Sequence, residues 1–150
     1  MNQNLVKTLR KLCDEDRYDE AVATIERERP TEGCCADLLV WKARCLQLGA
    51  HATPEQVEHT LRDAIACDEH NASAWVELGW LLLNVLDRPQ EAERTFRRAL
   101  AIQAKTNTEV LVGLVKCLKE INPERSRDEL EQSLHAGLVN DEEFYAALSE

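Results

Sequence analysis

Glycine and proline are scarce in this chain of 150 residues, which contains only 5 glycines and 4 prolines. Both residues interrupt regular structure and supply the turns that small β folds need. Their scarcity favours long helices joined by short turns over a turn-rich β fold. Aromatic residues are also few, at 5%, but the apolar fraction of 44% is enough for a folded core.

Long apolar runs are missing as well, because no stretch approaches the 18 residues of a membrane-spanning helix. The nearest, residues 80–86, is interrupted by Asn84. Residues 1–10 are polar and lack the apolar core of a signal peptide. We therefore predict a cytoplasmic location and no membrane span. In a reducing compartment the six cysteines are expected to be thiols.

Positive charge is in deficit, with 18 Lys and Arg against 28 Asp and Glu and a net charge of −10. Nucleic-acid binding without sequence preference needs a positive surface that releases phosphate counterions. An anionic membrane attracts the same kind of surface. The short basic stretch at residues 94–98 is spread around a helix and is interpreted as a solvated face. We therefore predict no nucleic-acid partner and no membrane partner.

A repeat with a period of 34 residues is visible in the middle of the chain, where Trp41 and Trp75 are separated by that distance. The segment around Trp75 carries large residues on one helical face and small residues where two helices of a hairpin would meet. The large residues are Trp75, Leu78 and Leu82, the small residues are Gly79, Ala92 and Ala99, and Phe96 lies between the two alanines on the second helix. Pro89 is suited to the first turn of the second helix.

This pattern resembles the tetratricopeptide repeat, whose first helix carries Trp, Leu-Gly and Tyr and whose second helix carries Ala, Phe and Ala. Leu82 stands where the family prefers tyrosine, and the turn at residues 86–89 holds one extra residue. The resemblance implies an all-α fold, a right-handed α-solenoid of antiparallel helix hairpins. Such a tetratricopeptide-like superhelix has a concave inner surface.

Extending the period in both directions gives a single repeat domain over residues 1–150. Repeats are expected at about residues 2–30, 38–71, 72–106 and 107–136, with a short C-terminal helix at 141–149. The sequence Thr53-Pro-Glu-Gln56 predicts a capping box with proline at the first helical position. The joints between helices are predicted at residues 14–17, 30–36, 49–54, 67–71, 86–89, 105–108, 121–123 and 137–141.

The resemblance also predicts a candidate site, because the first helix of each hairpin in this family lines a groove that holds partner peptides. The predicted partner-binding residues are Leu39, Lys42, Leu46, Val76, Glu77, Trp80, Leu83, Leu111 and Val115. Most of them are apolar, and an apolar strip of this kind, if exposed, marks a binding surface. Trp80 is the expected anchor, because Trp75 already fills the core position of its repeat and tryptophan is enriched among interface anchors.

Three occupants of this strip remain open: a partner protein, the chain's own last helix with Phe144, Tyr145 and Leu148, and a second copy of the chain. The carboxylate clamp of chaperone-binding tetratricopeptide domains does not match. Both registers of the comparison place Glu77 at a clamp position, where it would repel a carboxylate.

Catalytic and metal-binding motifs are lacking around the four histidines, which fall in loops or on polar helix faces. Cys67 and His70 alone have metal-like spacing, and a structural zinc site needs a second ligand pair. We predict no enzyme activity, no metal and no cofactor.

The predicted function is a non-catalytic scaffold or adaptor that holds an apolar or amphipathic segment of a partner protein. Two alternatives stay open: a small acidic cytosolic chaperone for a hydrophobic secretion client, and a self-associating structural repeat protein.

Overall fold

The computed structural model describes residues 3–28, 35–49, 52–102, 108–126, 128 and 132. Within these residues the chain forms seven helices with defined bounds, followed by helical residues at 123–126, and no strand, which confirms the predicted all-α class. The helices are α1 (Gln3–Asp14), α2 (Tyr18–Glu28), α3 (Ala36–Leu48), α4 (Pro54–Cys67), α5 (Ala72–Asn84), α6 (Pro89–Ile102) and α7 (Thr108–Ile121). None of the described helices has both the length and the hydropathy to span a membrane.

The joints between these helices agree with the sequence prediction wherever they are described. Those at residues 14–17, 67–71, 86–89 and 121–123 separate helical segments as expected. The joints at 30–36, 49–54 and 105–108 lie partly outside the described residues. The joint at 137–141 and the helix expected at 141–149, with its three large apolar side chains, lie wholly outside them.

The start of α4 shows how the local sequence fixes a boundary. The Oγ1 atom of Thr53 accepts a hydrogen bond from the backbone N–H of Gln56 at 3.4 Å. The side-chain Oε1 atom of Gln56 accepts one from the backbone N–H of Thr53 at 3.0 Å. Pro54 occupies the first turn, where its missing N–H is not needed. The predicted capping box is confirmed.

Contacts divide the chain into two compact units, Met1–Ala74 and Trp75–Glu150, here called the first and second unit. The boundary falls within α5. The single repeat domain with its repeat limits stays a prediction.

In the first unit, α3 packs against α2 on one side and α4 on the other. One apolar cluster joins α1, α2 and α3 and contains Leu9, Leu12, Ala21, Ile25, Leu38 and Cys45. A second cluster lies on the α4 side of α3 and contains Leu39, Val40, Ala64 and Ala74. Because α3 is covered on two faces, its sequence is apolar around most of its circumference.

The second unit is organised around Phe96, a fully buried residue of α6. Its ring lies against Gly79 of α5 and Gly113 of α7, where an added Cβ would come within 3 Å of ring atoms. The predicted role of Gly79, to let two helices approach closely, is confirmed. Gly113 has the same role and was not predicted, although it follows Gly79 by one 34-residue period.

Candidate partner-binding site

A pocket lies between α2 and α3 in the first unit, with a volume of about 190 Å³. Two of the predicted site residues, Leu39 and Lys42, line it from α3, where a spacing of three residues places them on one helical face. Helix α2 supplies Ile25 and Glu26. Among the described residues, this pocket, here called the α2–α3 pocket, is lined by Ile25, Glu26, Cys35, Leu38, Leu39 and Lys42.

An ion pair connects the two helices at this pocket. The Nζ atom of Lys42 donates to the Oε1 atom of Glu26 at 2.8 Å. The side chain of Lys42 is 24% exposed and that of Glu26 is 58% exposed. Because water screens such a pair, its contribution to folding is about 0.2–1 kcal/mol. The pair also places one positive and one negative group beside the apolar side chains that line the pocket.

Leu46, a further predicted site residue, does not reach the α2–α3 pocket. It lies one turn after Lys42 on α3 and lines a separate cavity of about 100 Å³. That cavity is lined by Asp19, Cys45, Leu46, Gly49, Ala52 and Gln56.

Trp80, a predicted site residue of the second unit, contacts three side chains. Its ring meets the ring of Phe96 edge to face, with centroids 5.2 Å apart and planes at 74°. The indole Nε1–H donates to the Oε1 atom of Glu109 at 3.2 Å. The Nζ atom of Lys116 lies 5.8 Å from the ring centroid, within cation–π range. Trp80 therefore bridges α5, α6 and α7 while it remains half-buried.

The apolar strip is less open than a binding surface would require. The structure buries five of its seven apolar members, Leu39, Val76, Leu83, Leu111 and Val115, at 1–7% exposure. Leu46 and Trp80 are half-buried, as are the charged site residues Lys42 and Glu77. The accessible parts of the predicted site are therefore these four residues and the α2–α3 pocket, and the assignment of the strip as a partner site stays a prediction.

The polar surroundings of Trp80 were not predicted from the sequence. One 34-residue period places Glu109 at the repeat position of Trp75, and Lys116 at that of Leu82. These two positions are polar here but apolar in the preceding repeat, and this difference was the sequence signal for a polar environment around Trp80. The structure shows that both contact Trp80 from α7.

The cysteines differ from the expectation of six thiols. Cys67 is disulfide-bonded. Cys13, Cys35, Cys45 and Cys117 are free. The side chains of His59 and His70 are largely exposed and lie beside Asp63 and Glu69. In the described part of the chain, no three His, Cys, Asp or Glu side chains come together as metal ligands.

Comparison with known proteins gives information on the fold. No family model matches the chain, and no curated protein matches it. The crystal structure of a thermophilic tetratricopeptide protein of Thermus thermophilus aligns at 18% identity with a TM-score of 0.54, over 98% of this chain and 96% of that one. The structure of MamA MSR-1 C2 aligns at 15% identity with a TM-score of 0.42, over 86% of this chain and 96% of that one. The first alignment shows a tetratricopeptide-type helical repeat fold.

Proposed function

We propose that this protein is a non-catalytic scaffold that binds an apolar or amphipathic segment of a partner protein. The observation that carries this proposal is the α2–α3 pocket, where Leu39 and Lys42 meet Ile25 and Glu26. An apolar pocket with a small number of convergent polar groups is typical of a recognition site. The fold is compatible with this function but does not by itself establish it.

The size of the pocket favours a single side chain as its occupant. A volume of about 190 Å³ is smaller than the roughly 300–1,000 Å³ of cofactor and drug sites. The Lys42–Glu26 pair offers a donor and an acceptor to the polar groups next to that side chain. We infer that the partner segment presents an aliphatic residue flanked by polar or charged residues.

Trp80 is the proposed contact of the second unit. It keeps part of its surface accessible although Phe96, Glu109 and Lys116 hold its ring in place. A fixed, half-exposed tryptophan loses little conformational freedom when a partner binds, and tryptophan is enriched among interface anchors.

The experiment begins with capture of a partner by affinity pull-down and its identification by mass spectrometry. The affinity of the purified partner is then measured for Cys35→Trp, which fills the α2–α3 pocket, and for Trp80→Ala. We expect each variant to weaken binding by about tenfold or more, since truncated or blocked anchors cost about 2 kcal/mol.

Gln47→Trp is the matched control, because Gln47 is exposed on the same helix and does not line the pocket. It should bind as the wild type does, and circular dichroism should show the same helicity for all variants. Wild-type affinity in both Cys35→Trp and Trp80→Ala would show that the site is wrong.

The net charge of −10 favours one alternative, a small acidic chaperone for a hydrophobic secretion client. Co-expression should then keep an aggregation-prone client soluble, whereas an adaptor would bind a partner that is soluble alone. Self-association is tested by sedimentation of the protein without a partner.

A cytoplasmic location also remains a proposal. The disulfide at Cys67 is more typical of an oxidising compartment. Cell fractionation with the full-length protein decides between a cytoplasmic location and an oxidising compartment.

A further inference from the structure

Two thiols from different helices face each other in the first unit. Cys13 lies near the end of α1 and Cys45 on α3, 32 residues apart, and their Sγ atoms are separated by 3.7 Å. Cys45 is 1% exposed within the apolar cluster of α1, α2 and α3. Cys13 is half-buried at the edge of the same cluster.

We propose that Cys13 and Cys45 are a redox modification site, at which a low-molecular-weight disulfide such as oxidised glutathione converts the two thiols into a disulfide between α1 and α3. This inference does not depend on the proposed partner binding.

The geometry requires only a small movement. A disulfide holds its sulfur atoms about 2.05 Å apart, so the two Sγ atoms must approach by about 1.7 Å. Rotation about the Cα–Cβ bond of Cys13 moves its sulfur by this order of distance. Cys13 is the residue able to move, because Cys45 is enclosed by core side chains.

The different exposure of the two thiols sets the order of the chemical steps. The Cys13 thiol loses its proton to water, and its sulfur attacks one sulfur of oxidised glutathione. The glutathione S–S bond breaks, a mixed disulfide forms on Cys13, and one glutathione thiolate leaves. Cys45 then attacks the Cys13 sulfur and expels the second glutathione, which takes the Cys45 proton. Two protein thiols lose two electrons in total, and oxidised glutathione gains them.

Burial explains why Cys45 does not react first. Desolvation, together with the neighbouring Cys13, raises the pKa of the Cys45 thiol to about 12. The reactive thiolate is therefore rare at Cys45 until the mixed disulfide on Cys13 presents a sulfur beside it. Burial also raises the pKa of Cys117 on α7 to about 12. Cys117 is therefore a buried thiol of the second unit that can serve as a control.

The test is peptide mapping of the full-length protein after incubation with oxidised glutathione, acid quenching and alkylation. Trypsin releases Cys13 in residues 12–17 and Cys45 in residues 45–62, with no other cysteine in either peptide. We expect a species with the summed mass of these peptides less two hydrogen atoms, in the wild type and equally in Cys117→Ser. Dithiothreitol should remove it.

Two variants separate the steps. In Cys45→Ala, which keeps the core apolar, Cys13 should stop as the glutathione adduct. In Cys13→Ser the Cys45 peptide should stay unmodified. The wild type treated with oxidised glutathione should melt at a higher temperature than the untreated wild type, a difference that Cys45→Ala should lack. The proposal is overturned if the wild type yields only the Cys13 adduct, or if Cys13 or Cys45 pairs mainly with another cysteine.

Discussion

Phe96 illustrates how one side chain sets the distance between helices. Its ring fills the space that Gly79 and Gly113 leave open on α5 and α7. A Cβ at Gly79 would lie 2.7 Å from the Cε1 atom of Phe96, closer than real contacts allow, and a Cβ at Gly113 would lie closer still. The two glycines are therefore needed for close packing and not for a special backbone conformation.

We predict that Gly113→Ala lowers the free energy of unfolding by about 1–3 kcal/mol, the usual cost of forcing extra volume into a packed core. The sign of this change is informative. In a helix interior without steric conflict, replacing glycine by alanine stabilises the helix by about 1 kcal/mol. Urea denaturation monitored by circular dichroism gives the value. Gly79→Ala should behave in the same way.

A double-mutant cycle tests whether the Phe96 ring is the cause. In the background of Phe96→Leu, where the ring is removed, Gly113→Ala should cost much less than in the wild type. An equal cost in both backgrounds would show that the strain arises elsewhere.

Trp80 is the residue at which a structural role and a binding role overlap. Trp80→Ala should lower the free energy of unfolding by less than the roughly 3–5 kcal/mol of a fully buried aromatic residue, because its ring is half-buried. Trp80→Phe should lower the free energy of unfolding by less than Trp80→Ala, because it keeps an aromatic ring near Phe96. The loss that remains comes from the missing hydrogen bond to Glu109. Thermal and urea unfolding give both values.

Trp75→Ala is the reference for this comparison, because the repeat pattern assigns Trp75 to the hairpin core. If Trp80→Ala destabilises the protein as much as Trp75→Ala does, Trp80 acts mainly in packing. Its assignment as a partner contact is then wrong.

At the scale of the helix, boundaries depend on local chemistry, and for this reason the sequence predicted them well. Thr53, Pro54 and Gln56 begin α4 through contacts within one turn, and the structure shows both hydrogen bonds of the capping box. Asn122 likewise accepts hydrogen bonds from the backbone N–H groups of Glu124 and Arg125, at the predicted joint after α7.

We predict that Thr53→Ala lowers the free energy of unfolding by about 1 kcal/mol, because the N–H of Gln56 loses its acceptor. Thr60→Ala on the same helix is the matched control. Its hydroxyl only donates back to the carbonyl of Gln56 at 2.9 Å, a bond that adds little to helix stability. Equal losses in urea denaturation would mean that the cap does not stabilise α4.

At the scale of the whole molecule, the 34-residue period was sufficient for the fold but not for the site. The resemblance to the tetratricopeptide repeat placed Leu39 and Leu111 on the groove-facing side of their helices, and both are buried. Burial depends on which distant segment covers a helix face, and a single-helix pattern carries no such information. The same reason explains why the sequence predicted Leu39 and Lys42 as site residues but not the α2–α3 pocket itself, which forms between two helices.

The last prediction concerns what the whole fold requires for stability. We expect a strong chelator to leave the melting temperature unchanged, because the described residues hold no group of metal ligands. A reductant should lower it, because Cys67 is disulfide-bonded and a disulfide stabilises a fold by about 2–4 kcal/mol. Cys67→Ser should melt at the lower temperature with or without reductant. A drop in melting temperature with the chelator alone would reveal a bound metal. An unchanged melting temperature of the wild type in reductant would exclude a stabilising disulfide.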